Sequence, residues 1–341
     1  MSNVVYQSVE RTPKGAVFAR YCRVLGRNEG RYTEAAKEVE ISKLYKDTPQ
    51  VLHALKSFFD PSAVPFETSA IARDFFALYR EKSVVGQLKD RFFPMLFFKQ
   101  NLIEPQTPPE PVWTTDGVFA PVTNYHPTDV YYARSHKNGL IIVLRDELLN
   151  LDGSDVDKIV SANLIGQCAA AIDATFLGDS EPSELSPGGI FFNAPTVTSS
   201  GTDVDSVRDD LSAMCNMLRS WKDVAWFMQP KTFSKLCSMG FVDFGASKSH
   251  LLGREVIQST SCPAQIGLVD VGSVLLADEG KTAFDYGRSA NVTYKTLNED
   301  GEEISGVLKL YQEGYVAFKV TRYVSWHRPH TESAVSMAVE Y

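Results

Sequence analysis

Catalytic signatures are missing from this sequence. It has no G-x-S-x-G, H-E-x-x-H or G-x-G-x-x-G pattern. Those spacings would put a nucleophile on a strand-to-helix turn, two zinc-binding histidines on one helix face, or glycines against a pyrophosphate. Cysteine is also scarce. The five residues, Cys22, Cys168, Cys215, Cys237 and Cys262, are far apart, odd in number and form no C-x-x-C pair. A zinc ribbon and a disulfide framework are therefore excluded as organising principles, and reduced, mostly buried thiols are expected. No run approaches the ~20 apolar residues of a membrane helix. The opening MSNVVYQSVERTPKG lacks the apolar stretch of a secretory signal. The expectation is a soluble protein made in the cytosol with no membrane partner.

Basic charge is in short supply too: 34 Lys+Arg stand against 42 Asp+Glu, a net charge of −8. The shortage is uneven. Residues 1–60 hold ten basic and seven acidic side chains, and the remainder holds 24 and 35. An acidic body argues against one that reads DNA sequence. The mildly basic leader suits contact with acidic surfaces, including those of neighbouring copies, or forms a solvated helical segment.

Three partial chemical signals fail on their own spacing. Gly280-Lys281-Thr282 would need a glycine five positions before Gly280 to form a phosphate loop; Leu275 stands there, and Gly272 is too early. A loop joining strands is expected instead. His327-Arg328-Pro329-His330 puts two histidines around a proline, off any regular helix, with no assignable further metal ligand. Asp155/Asp157 and Asp203/Asp205 suit helix starts, where the dipole favours negative charge, better than acid–base pairs. No catalytic, cofactor-binding or metal-binding residue is assigned.

What is present is scaffold. With 341 residues and 44% hydrophobic content, the chain is long enough for two or three domains. Leu140–Leu144 reads as a buried strand, introduced by the hairpin-turn signal Lys137-Asn138-Gly139. A helix follows, with Ser154 at its N-cap, Asp157 as capping partner and Gly178 as its stop. Val156, Ile159, Val160, Leu164, Ile165, Cys168, Ala169, Ile172 and Phe176 share one face. Ser161, Asn163, Gln167 and Asp173 form a polar, nearly uncharged opposite face, suited to another subunit, to an overlying loop, or to an ordinary core helix. From Asp155 to Phe176 this helix would be roughly 33 Å long.

Residues 14–60 read as helices, the third opening with Thr48 as N-cap and Pro49 in its first turn. Asp74–Gln87 is another helical piece. From Arg91 to Asn138 the chain is rich in Phe, Val, Tyr, Thr and Pro, which favours an extended, protruding two-stranded loop with a stiff tip around Glu104–Pro109. Alone, such a hairpin is marginally stable, so a partner is expected to support it. After Gly189, helices Val204–Trp221 and Lys231–Met239 alternate with strands Val224–Met228, Glu255–Gln258, Gly267–Val271 and Val274–Leu276. Ala290–Lys295, Gly306–Gln312 and Tyr315–Tyr323 read as longer strands.

This order of elements carries a resemblance. AIDATFLGDS followed by PGGI, and LIIVLRDELL before them, resemble the spine helix, exit turn and preceding strand of tailed-bacteriophage major capsid proteins. AWFMQPKTFSKL, LLGREVIQSTSCPA, GLVDVGSVLLADEG and VAFKVTRYVSWHRPHTESAVSM are similar to that family's later segments in order and spacing, over about residues 64–341. Encapsulin shells share the fold.

The resemblance implies an α+β phage major capsid fold. Its parts would be an N-terminal helical segment over 1–63 (scaffolding-like or an internal arm), an arm over 64–93 and an extended β-hairpin loop over 94–136. A peripheral domain with the spine helix would cover 137–190, an axial domain with a small mixed sheet and flanking helices 191–282, and peripheral strands 283–318. Residues 319–341 would return to the axial domain. Copies would form pentamers and hexamers of an icosahedral shell around double-stranded phage DNA held without sequence preference. A scaffolding protein or maturation protease, a portal and decoration proteins would be further partners. Candidate intersubunit contacts are Phe75, Phe76 and Tyr79 in the arm and Pro105, Pro108 and Trp113 in the loop. Some family members join a loop lysine to a neighbour's asparagine. Gln100 to Ser135 contains no lysine, so no such crosslinks are expected here. The alternatives are an encapsulin-like compartment holding an enzyme cargo and a soluble α/β enzyme such as a hydrolase.

Overall fold

The computed structural model describes residues 16–41, 48–57, 79–103, 113, 129–147, 154–244, 248–263, 265–297 and 303–339. The chain divides into two compact units. One comprises Met1–Gly86, Asn138–Ala169 and Gly280–Arg322; the other comprises Gln87–Lys137, Ala170–Glu279 and Tyr323–Tyr341. The division falls within the helix Ser154–Phe176 and within the strands His136–Arg145, Leu275–Gly287 and Tyr315–His327.

In the first unit, the helices Ala16–Arg27, Tyr32–Ile41 and Pro49–Ser57 contact one another. Phe18, Cys22 and Leu25 recur at helical spacing and are buried with Ala35, Val39, Val51 and Leu55. Pro49 opens its helix as expected. Thr48 is buried, and its hydroxyl accepts a 3.0 Å bond from Arg20 Nη1, tying the first helix to the third. The turn between the first two helices is left-handed at Glu29 and Gly30, with φ of 52° and 76°. Gly30 lies under the Tyr286 ring, where a Cβ would come within 2.7 Å of Cδ1. Arg288 bonds both Glu29 (3.2 Å) and Asp146 (2.6 Å), and the Tyr286 hydroxyl donates to the Gly26 carbonyl. The strands Asn291–Leu297 and Glu303–Lys309 pair antiparallel, placing Tyr294 opposite Gly306. The tyrosine ring covers the glycine, at whose position a Cβ would meet Cζ at 2.5 Å.

The second unit is built on a seven-stranded sheet. Its order is Thr196–Thr198, Ala334–Ala338, Gln265–Asp270, Val224–Met228, Arg254–Gln258, Ser249–Leu251, Val242–Phe244. Val224–Met228 is central, so all five of its side chains are buried, as a continuous apolar run predicts. Trp226 donates its indole N–H to the Leu251 carbonyl at 2.9 Å. Val207, Leu211 and Met214 of helix Val204–Met217 and Leu236 of helix Pro230–Ser238 join the same core. Asp203 caps the former helix: it accepts from the Ser206 amide and hydroxyl, and these bonds hold its carboxyl below the usual range.

The end of the long helix is tightly specified. Phe176 meets Phe92, Phe227 and Trp326 edge-on, with ring centroids 5.7, 6.5 and 5.4 Å away. The chain then folds back. The amides of Ile190 and Phe191 bond the carbonyls of Phe176 and Gly178 at 2.8 and 3.1 Å, satisfying acceptors that a helix end leaves open. Gly189 crosses so close that a Cβ there would lie 2.1 Å from the Gly178 oxygen. Phe191 fills the space over Gly267, where a Cβ would lie 2.2 Å from its ring.

Several expectations are corrected. Asn138-Gly139 is not a turn; it lies inside the strand His136–Arg145, which neighbours Tyr315–His327 in a separate four-stranded sheet. Pairing along that partner outweighs a local turn preference. Gly280-Lys281-Thr282 is not a loop, because the strand expected at Val274–Leu276 continues from Leu275 to Gly287. The helix expected to reach Trp221 ends at Met217, and the Arg219 amide bonds the Glu332 carbonyl at 2.9 Å. Asp173 is only 3% exposed: one step from Ile172, it lies beside the apolar stripe and not on the opposite face. The expected Ser154–Asp157 cap involves side chains outside the described set.

Gly189→Ala is predicted to destabilise the chain by about 2–3 kcal/mol, because backbone must move to admit the methyl group. Gly166→Ala, at a helical site with nothing within 4 Å of the new Cβ, is predicted to be neutral or stabilising by up to about 1 kcal/mol. Urea unfolding of the two variants beside the parent measures both.

Candidate intersubunit surface

The hairpin starts from a separate four-stranded sheet, ordered Phe93-Pro94, Leu275–Gly287, Tyr315–His327, His136–Arg145. Phe93-Pro94 pairs in parallel with Leu275-Leu276, through Phe93 N to Val274 O and Met95 N to Leu276 O, both 2.9 Å. Gln100–Ile103 then pairs antiparallel with Asp129–Tyr132, from Gln100 opposite Tyr132 to Ile103 opposite Asp129. Between them the side chains sort to two sides. Phe92, Met95 and Phe97 are buried, the last two with Ala133, Leu275 and Ala277. Phe93, Leu96 and Phe98 are exposed, as is Tyr132. Phe98 is 78% exposed and has φ of 56°, a conformation costly for a bulky residue. Its amide donates to the Ala133 carbonyl at 3.1 Å. The composition of RFFPMLFF marked it as extended, but an unbroken apolar run carries no signal for which of its side chains are exposed.

A groove of about 630 Å³ adjoins the hairpin base. The Tyr131 ring stacks on His327 with centroids 3.8 Å apart and planes 4° from parallel. Burial, then Arg328 and His330, push the His327 imidazole down to about 4. His136 bonds the Ser325 hydroxyl at 3.1 Å and the Ser183 carbonyl at 3.3 Å, and burial lowers its pKa as well. Arg328 spends its guanidinium on the carbonyls of Phe192, His330 and Thr331. The histidine-rich motif therefore locks chain segments together.

A second concavity of about 480 Å³ is lined by Arg219, Asp223 and Asp270 among others. Burial and then the neighbouring Asp223 raise the Asp270 carboxyl. Asp223 is already held by Arg91 Nε at 2.8 Å, and Arg91 also reaches Glu255 at 3.1 Å. This is an ion-pair network that braces the sheet. Among the described residues, no three His, Cys, Asp or Glu side chains are grouped to hold a metal ion, and no helix is long and apolar enough to cross a membrane.

Of the contact residues expected from sequence, Phe75, Phe76, Pro105 and Pro108 lie outside the described residues. Tyr79 is 1% exposed, inside its own unit, with the Arg322 guanidinium 4.0 Å above its ring. Trp113 is 100% exposed.

A family model described as the phage capsid family matches residues 70–334. The chain is 22% identical to the capsid polyprotein of Pseudomonas phage PAJU2, over 94% of its own length and 53% of that protein's. It thus spans about half the length of the curated relative that it matches. Among solved structures, it is similar to the capsid of a native GTA particle (12% identity, TM-score 0.48, 74% of this chain and 90% of that one). It is also similar to Microbacterium phage Oxtober96 (13%, 0.48, 76% and 91%) and to the SrpI encapsulin of Synechococcus elongatus (13%, 0.40, 62% and 76%).

The two neighbouring phenylalanines should respond oppositely to truncation. Phe97→Ala is predicted to cost about 3 kcal/mol by opening the buried cluster. Phe98→Gly is predicted to be neutral or slightly stabilising, since it relieves a left-handed backbone and removes an exposed ring. Chemical denaturation of the dispersed chain distinguishes them.

Proposed function

The chain belongs to the phage capsid family, and we propose from this that it is the major shell subunit of a phage head, a structural protein and not an enzyme. The family match over residues 70–334 carries this reading. The residues agree with it. Arg91 pairs with both Asp223 and Glu255, so these carboxylates brace the sheet.

In this reading the hairpin built on Gln100–Ile103 and Asp129–Tyr132 reaches a neighbouring copy. Trp113 and Phe98 are the aromatic anchors that such contacts favour. Phe75, Phe76, Pro105 and Pro108 are proposed beside them. Tyr79 is proposed to act from inside, holding the arm by its stack on Arg322. Copies in rings of five and six close an icosahedral shell by heterologous contacts. The shell holds double-stranded DNA, is synthesised in the host cytoplasm, and works with scaffolding or protease, portal and decoration proteins. Residues 1–63 serve as a helical scaffolding segment or internal arm, 64–93 as the arm, and 94–136 as the loop. Residues 137–190 and 283–318 serve as a peripheral part, and 191–282 and 319–341 as an axial part.

Electron microscopy of purified protein is predicted to show closed particles containing nucleic acid. These should dissolve to a single-subunit band on a denaturing gel, since the loop lacks lysine from Gln100 to Ser135. Monomers or dimers alone would contradict the shell. Particles filled with a protein cargo would identify an encapsulin-like compartment, and boiling-resistant ladders would contradict the absence of crosslinks.

A further inference from the structure

The hairpin is held to its own unit at a place where two rings meet. Tyr131 lies in its returning strand, and His327 ends the long strand Tyr315–His327. The rings are parallel and in contact. We infer that the Tyr131–His327 stack is an acid-released latch on the base of the hairpin.

The groups around His327 supply the reason. Arg328 and His330 follow it on its own segment, and Arg134 and His136 line the groove from the residues after the hairpin. Tyr131 is the hairpin's own ring, neutral near pH 7, with burial raising its hydroxyl further. Glu184 of the exit turn is the carboxylate among the described groove residues; its side chain is 91% exposed and 3.8 Å from Arg134. A proton arriving on His327 thus enters a groove beside Arg328 and Arg134, with no buried acid among the described groove residues to receive it. Attraction between an imidazolium and the tyrosine face acts the other way. It is opposed by desolvation, by the Arg328 charge and by His330.

The sign follows from the direction of the shift. Closed, the His327 imidazole sits near 4; free, it titrates at 6.5. The neutral ring is therefore the form that closes the latch. The contribution of the stack is complete above the free value, and it is lost as pH falls from about 6.5 towards 4. His136 shifts in the same direction for the same cause and adds to the loss. Acid would free the paired base of the hairpin while the aromatic core around Phe176, which holds no titrating ring, stays formed. The chemistry of the latch does not depend on the capsid reading. Its consequence for assembly does rest on it, since the hairpin is there the element that reaches a neighbour.

Hydrogen exchange on the full-length dispersed chain tests this whether or not particles form. After correction for intrinsic exchange, amides paired between Gln100–Ile103 and Asp129–Tyr132 are expected to lose protection roughly 20-fold between pH 7 and pH 5. In His327→Phe, which keeps a ring on Tyr131 but cannot take a proton, the loss should shrink to a few-fold. Equal losses in both proteins, or no loss in the parent, would overturn the proposal. Carbon-13 histidine NMR of the unmutated chain gives an independent readout. A His327 midpoint well below 6.5, at the acid end of the range over which protection is lost, is expected, and a midpoint at or above 6.5 would refute the latch.

Discussion

The backbone of Gly189 lies against the carbonyl of Gly178 with no room for a side chain, and much of the second unit is arranged around that approach. It sets the path by which the chain leaves its long helix. It lets the Ile190 and Phe191 amides close the open carbonyls of the helix end. It also aims Phe191 at Gly267 in the sheet. The neighbouring Gly188 carbonyl takes the Trp326 indole N–H at 2.7 Å, and the next residues present the Phe192 carbonyl to Arg328. One turn therefore joins the helix end, a central strand and the closing strand. Phe176, in contact with three aromatic rings, fills the space that the turn encloses. Small residues here are geometric necessities, since the joint depends on backbone meeting backbone.

Against that closed joint, the base of the hairpin is left open. Phe97 and Met95 enter a small cluster, while Phe98 is held in a left-handed conformation with its ring in solvent. Strain that places an apolar ring in water adds nothing to the stability of a lone chain. It makes sense in a molecule whose finished surface includes other copies. The same holds for Trp113, fully exposed on a segment rich in proline. On the proposed shell reading these features share a cause: contact energy placed outside the monomer is realised on assembly.

Much of this was legible in the sequence where local signals and burial agree. The helix from Ser154 to Phe176, the buried strand Val224–Met228 and the helix after it followed from the apolar pattern and the position of Pro230. The expected two-stranded stretch agrees with the pairing of Gln100–Ile103 and Asp129–Tyr132, while its stiff tip around Glu104–Pro109 lies outside the described residues. The misses share a physical origin in long-range pairing. Asn138-Gly139 is a strong turn signal in isolation, yet a strand partner more than 170 residues away in sequence keeps it extended. Gly280–Thr282 was expected to be a loop joining strands once its phosphate-loop spacing failed, although the strand through it runs on to Gly287. Asp173 was placed by helical spacing on the open face, but a residue at the border of the apolar stripe is covered by whatever packs there. The exposed Phe98 and the Tyr131–His327 stack were not legible, because one depends on a backbone angle and the other joins residues from separate segments.

On the proposed reading, sister molecules cover the aromatic surface that the fold leaves open. Hydroxyl-radical footprinting with mass spectrometry reads this directly at Trp113 and Phe98, compared between dispersed chains and assembled material. The account predicts that oxidation of both side chains falls several-fold on assembly while that of buried Trp226 stays low throughout. Equal oxidation of Trp113 and Phe98 in the two states would contradict it.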